Sequence, residues 1–227
     1  MVMVVISTNG CPPAASNHDT CKAVESNNRT FIIHKEYICF YSPFFDAAFN
    51  GKFKEAENQS ISLEDVDLAV FGLLVHWVYY QKFDLPRVEG KEGKFCADYE
   101  KLAELWILAQ RTLMSALQNH VIDIIFDSLS KIDLWDGSNF GRLMELASEN
   151  DPTSPLSRLA INTLVYSCGL FFDAQVSSTP PSLTTSIMKG LKTNHAERKS
   201  WDEGIGEKSN YHVAMTSEPR KQNSDDM

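Results

Sequence analysis

The chain has 227 residues and a formal net charge of −9. That balance excludes a general nucleic-acid binder, which needs clustered Lys and Arg to release phosphate counterions, and leaves basic protein surfaces as a reasonable counterpart. Hydrophobic content of 43% supports a sizeable core, and the length suits one domain with an appendage or two small ones.

The five cysteines (Cys11, Cys21, Cys39, Cys96 and Cys168) are odd in number and scattered, the usage of a reduced intracellular chain rather than a disulfide framework. The opening MVMVVISTNG has no basic leader and only a short apolar run, so it does not read as a secretory signal. The longest nearly apolar run, LAVFGLLVHWVYY, falls short of the ~20 residues of a membrane helix and is interrupted by His76. Asn28-Arg-Thr and Asn58-Gln-Ser fit the glycosylation acceptor pattern, which has no meaning in an unexported chain. A cytoplasmic or nuclear protein is expected.

Along the chain, the β-branched residues 2–6 predict a short strand. Gly10 to Asn28 holds Pro, Ser, Asn and Asp with almost no large apolar residue, so residues 7–28 read as an inserted loop. Phe31 to His34 predicts a second strand, hairpinned with the first. From Lys35 the period turns helical, giving helices over about 35–41 and 43–50. Ser42 serves as cap, Pro43 occupies the first turn, and Gly51 is the stop. Residues 60–63 alternate like a strand. The sequence EDVD then supplies acidic caps for a helix over about 67–80 that is apolar almost all round, and so is expected to be buried on most faces.

Residues 84–96 read as a polar loop. Helices follow over about 97–109, with a Leu102, Leu105, Trp106, Ala109 stripe, and about 112–129, with Leu113, Leu117, Val121, Ile124 and Ile125. Weaker patterns cover 139–148 and, after Ser154-Pro155, 156–168. Residues 177–227 carry seven Lys or Arg against seven Asp or Glu with few clustered hydrophobes. They are expected to be disordered. The organisation is thus 1–130, a helical extension at 131–176, and a tail at 177–227.

A nucleophile and base could be imagined from His34 with Cys39 or Ser42. Five residues apart on a helix does not bring side chains to one face, and no third orienting group is evident. Cys11, His18 and Cys21 could offer three metal ligands, but their spacing matches no closed zinc pattern and a fourth ligand is missing. Phosphate-loop, dinucleotide, zincin and nucleophile-elbow motifs are absent. The expectation is a non-enzyme with no cofactor, no metal and no small-molecule substrate. The aromatic density is the feature left to explain. Phe44, Phe45, Phe49 and Phe53 lie too close together for one short helix to bury every ring, so part of this surface is expected to be covered by a partner.

The stretch from Phe31 to Phe83 resembles the BTB/POZ domain, in particular the stand-alone type common in filamentous fungi. The resemblance runs through His34-Lys35, Ser42-Pro43-Phe44-Phe45, Gly51 through Glu55, Ile61 through Asp67 including Asp65, and Trp77 through Tyr79. LAELWILAQRTLMSALQNHVIDII resembles the helical pair that follows in the family, and SENDPTSPLSRLAINTLVYSC resembles the fungal extension. It implies an α+β fold, short helices on a small mixed sheet with a C-terminal helical extension, acting by docking other proteins. Phe53-Lys54-Glu55 fits the hydrophobic-x-Glu motif of cullin-binding members. Phe53, Glu55, Phe49 and Tyr41 are therefore expected to face a partner; His34, Ser42, Pro43, Phe45, Asp65, Trp77 and Tyr79 are expected to build the fold. The implied partners are proteins, a cullin or a second copy, with no direct nucleic-acid or membrane contact. The alternative is a self-associating structural or transcription-linked scaffold outside any ligase. Two departures stand against the family pattern: the 7–28 insertion, and the missing N-terminal helix and swapped strand, which argues against domain-swapped dimers but not against dimers through the first helix. No kelch, MATH or zinc-finger module is evident beside the domain.

Overall fold

The structure, a computed structural model, describes residues 1–7, 28–89, 95–129, 137–166, 181–197 and 200–215. The expected 7–28 loop lies almost wholly outside them, as do the expected boundaries at 130 and 176. The chain forms two compact units, Met1–Gln81 and Lys82–Thr216. The class is α+β.

The first unit holds a three-stranded mixed sheet. β1 (Val2–Ser7) runs down its middle, antiparallel to β2 (Asn28–Ile33) and parallel to β3 (Ser60–Glu64). The register places Val4 opposite both Phe31 and Ile61. Alternation then does the sorting: Val2, Val4, Ile6, Ile33 and Leu63 are buried on one face, while Met3 and Ile32, opposite each other, stay exposed on the other. The expected hairpin is present, and β3 adds a parallel neighbour that no short-range pattern signals.

Helices α1 (Lys35–Tyr41) and α2 (Pro43–Asn50) lie where the sequence puts them, and they pack on each other. Buried Ser42 ends the first and caps the second: its Oγ accepts the Phe45 amide at 3.2 Å, with Pro43 in the first turn. Gly51 does stop α2, but in extended backbone (φ −82°), so handedness is not the reason for glycine there. Space is the reason, because a Cβ would collide with the Ala47 carbonyl oxygen. A short helix unforeseen from the sequence, α3 (Lys54–Asn58), precedes β3.

Asp67 caps α4 (Leu68–Tyr80), accepting the amides of Ala69 (2.9 Å) and Val70 (3.1 Å). Asp65 takes no part in that cap; it sits in left-handed backbone at φ 56°. As expected, α4 is buried or half-buried on most faces, with one exposed stripe. Val70, Phe71, Leu74, Trp77 and Val78 are buried, whereas His76 and Tyr80 are exposed. Phe31 meets Phe71 edge to face at 4.8 Å and so ties the sheet to this helix.

The second unit opens with a hairpin, β4 (Arg87–Glu89) and β5 (Phe95–Ala97), inside the stretch read as loop. β4 is exposed at every position, so it offers no apolar alternation to detect. Then come α5 (Tyr99–Arg111), α6 (Ser115–Leu129), α7 (Gly137–Asn150) and α8 (Pro155–Tyr166). The α5 stripe of Leu102, Leu105, Trp106 and Ala109 is buried as expected. Leu113 is not part of the α6 stripe: it lies before the helix, in left-handed backbone at φ 57°, and is 48% exposed. Ser154 caps α8 ahead of Pro155, its Oγ accepting the Ser157 amide at 3.1 Å.

The tail departs most from expectation. Residues read as disordered form α9 (Pro181–Glu197), α10 (Trp201–Ile205) and a 3₁₀ turn (Lys208–Tyr211). α9 needs only a narrow seam, because it lies on a helix that is already there. Leu183 and Ile187 bury one turn apart, and at Gly190 a Cβ would stand 2.7 Å from Val165 Cγ2. Among the described residues, no helix is long and apolar enough to cross a membrane.

Candidate protein-docking site

The turn between α2 and α3 carries Phe53-Lys54-Glu55. Its geometry is set by groups around it. The Phe49 carbonyl, near the end of α2, accepts Lys35 Nζ (3.0 Å) and Gln59 Nε2 (3.2 Å), which closes the open end of that helix. Gln59 also donates to the Ala56 carbonyl at 2.6 Å and ends α3 in left-handed backbone. Phe53 stands just before α3 in extended conformation, its carbonyl accepting the Ala56 amide at 3.0 Å. Its ring is 60% exposed. Glu55 is half-buried in the first turn of α3, where a negative charge suits the helix end. A fixed turn thus presents an aromatic ring to solvent with an acid two residues on. Such a pair can fill a partner's apolar pocket and accept from a basic group beside it.

The other residues expected to face a partner fall elsewhere. Phe49 is 1% exposed and stacked on Phe45 (centroids 6.0 Å, planes 9° apart), so it is core and cannot face a partner in this fold. Tyr41 is half-buried, edge-on to buried Trp77 at 5.3 Å. His34 is bound to Tyr79: the hydroxyl oxygen lies 3.0 Å from the His34 amide, which donates to it, and 2.8 Å from Nδ1. This bond pins the start of α1 to the end of α4.

The residues weighed for chemistry are likewise placed. Cys39 Sγ donates to the Phe45 carbonyl at 3.6 Å. Burial, helped by the charge of Asp46 and opposed by Lys35, pushes this thiol up to about 11, far from a ready nucleophile. Ser42 serves as the cap described above. Cys11, His18 and Cys21 lie outside the described residues; among those described, no three His, Cys, Asp or Glu side chains gather as a metal site.

Sequence reasoning missed two features. The first is a set of exposed rings on α1 and α4, Tyr37 (47%), Phe40 (41%) and Tyr80 (63%). Tyr37 and Phe40 sit three residues apart on α1, a spacing that offers them on one face. The second is the run after the 3₁₀ turn, taken up below.

The family model of the BTB/POZ domain matches residues 14–125. The chain is 32% identical over 95 residues to Kelch repeat and BTB domain-containing protein 4 of Homo sapiens, and to the same protein of Mus musculus. That match covers 42% of this chain and 18% of each relative. It is 40% identical over 53 residues, 23% of this chain, to BTB and MATH domain-containing protein 38 of Caenorhabditis elegans, and spans 14% of that protein. The chain therefore spans less than a fifth of the length of these relatives.

Proposed function

We propose, from the premise that this chain carries a BTB/POZ domain and is thereby a protein–protein interaction module, that it serves as an adaptor docking a cullin-type ubiquitin ligase scaffold through Phe53 and Glu55. One observation carries the reading: the hydrophobic-x-Glu triplet stands on a fixed turn with its ring 60% exposed, where a core phenylalanine would be buried. An aromatic ring presented in this way is the kind of group that a partner's apolar pocket buries. The setting for this role is the cytoplasm or nucleus.

The test is a pull-down of the purified full chain with a cullin N-terminal region. Wild type is expected to bind, and Phe53→Ala with Glu55→Ala to bind at least tenfold more weakly. Undiminished binding by the double variant removes these residues from the interface; no binding by wild type removes the adaptor role. The exposed rings Tyr37, Phe40 and Tyr80 favour a second reading, a self-associating scaffold outside any ligase. Sedimentation at micromolar concentration separates the two, since a strictly monomeric chain excludes the scaffold.

A further inference from the structure

In the second unit, residues 207–215 lie along α6 as a strap. The rungs on the helix are four residues apart: Ser115, Asn119, Asp123 and Asp127, which share one face. Lys208 Nζ reaches Asp127 at 3.2 Å, and His212 Nε2 reaches Asp123 Oδ1 at 2.8 Å. Asn119 grips the Val213 main chain at both ends: its Oδ1 accepts the Val213 amide at 2.7 Å and its Nδ2 donates to the Val213 carbonyl at 3.1 Å. Met215 Sδ lies 3.7 Å from Ser115 Oγ. The lengths agree. From Ser115 to Asp127 the helix advances about 18 Å. Lys208 to Met215, one 3₁₀ turn followed by extended chain, covers about 19 Å. The strap therefore meets a rung at each turn, running opposite to α6.

The anchor is Tyr211, 2% exposed. Its hydroxyl accepts Asn162 Nδ2 at 2.8 Å and donates to the Ile205 carbonyl at 2.7 Å, with Arg158 of α8 over the ring. Everything else in the strap is shallow. The Lys208 and Asp127 side chains are 44% and 56% exposed, and those of His212 and Asp123 are 32% each.

A buried tyrosine, a main-chain grip and two acid rungs, one half-buried and one exposed, are the parts of a groove that reads a short peptide. We infer that this face of α6 is a peptide-docking groove for a partner protein's segment with a cation, then a tyrosine, then an imidazole and an extended apolar residue. Residues 207–215 of the chain are its internal competitor. The main-chain grip at Asn119 is indifferent to side-chain identity, and the acids select basic groups by charge; both serve a foreign segment as well as the resident one. The inference rests on the reading of the chain as a docking module but uses neither Phe53 nor Glu55, so it stands or falls apart from cullin binding.

The probe is a fluorescein-labelled peptide with the sequence of residues 206–215, GEKSNYHVAM, titrated into the full chain. The Tyr211→Ala chain is expected to take up the peptide at least tenfold more tightly than wild type, whose groove is occupied. Adding Asn119→Ala to that chain is expected to reverse the gain. A Tyr211→Ala chain that keeps its circular dichroism but binds no better than wild type overturns the inference. So does one that instead dimerises without peptide, since the occupant is then a second copy. Should Tyr211→Ala fail to fold, Lys208→Ala with His212→Ala, which leaves the anchor in place, must raise uptake at least threefold; no change there overturns the inference equally.

Discussion

Cys39 shows how one residue's surroundings decide its chemistry. Burial disfavours the thiolate, and Asp46 nearby disfavours it further. With its pKa pushed up to about 11 from an ordinary 9.0, the thiolate fraction at pH 8 is about 0.1% rather than about 10%. Because the pKa is raised, reactivity appears only as pH climbs toward 11. Iodoacetamide labelling of the Cys39 peptide at pH 8, followed by mass spectrometry, is expected to run about a hundredfold slower in the folded chain than in urea. Equal rates would show that the thiol is not desolvated. Gly51 makes a related point: the sequence reads it as a stop, which it is, but only the packed structure reveals that the Ala47 carbonyl leaves no room for a Cβ.

At the scale of the element, the helix starts were the most legible part of the chain, since a cap is a local arrangement of two or three neighbours. Ser42-Pro43, Asp67 and Ser154-Pro155 each begin a helix as read. Ser42→Ala leaves the Phe45 amide, buried in the first turn of α2, without its acceptor. A loss of about 1–2 kcal/mol is expected. Urea unfolding should show it as a lower midpoint with an unchanged slope, and an unmoved midpoint would mean that the cap contributes nothing. Elements whose cause is not local were not legible. The β4–β5 hairpin pairs strands of three residues each, and β4 is exposed at every position. Tertiary packing, rather than period, keeps Phe49 inside and Phe53 outside, although both belong to one aromatic run. The candidate site was therefore half legible: the Phe53-Glu55 pair from its motif, the strap on α6 from nothing in the local pattern.

At the scale of the molecule, composition misjudged the tail. α9 buries only Leu183 and Ile187, too few for a helix standing alone, but enough on the ready surface of α8, where the Asn194 side chain donates to the Val165 carbonyl at 3.1 Å. Hydrogen exchange tests this: amides of residues 185–197 are expected to exchange at least tenfold more slowly than the unstructured rate, and intrinsic-rate exchange throughout would restore the disordered reading.

The sheet of the first unit has a different consequence, for the order of assembly. β1 is the central strand, yet its parallel neighbour begins about 57 positions later, Met3 standing opposite Ser60. By the logarithmic law of loop closure, that pairing costs only about 1 kcal/mol more chain entropy than the β1–β2 hairpin, whose ends Ser7 and Asn28 are about 21 positions apart. Distance along the chain is thus inexpensive in stability and expensive in time. As the chain is synthesised, Val2, Val4 and Ile6 precede both partner strands, and β1 cannot be paired on both sides until residue 64 has followed. During that interval its unpaired backbone edge and apolar face are open to any strand that passes, which exposes β1 to mispairing before the fold is complete.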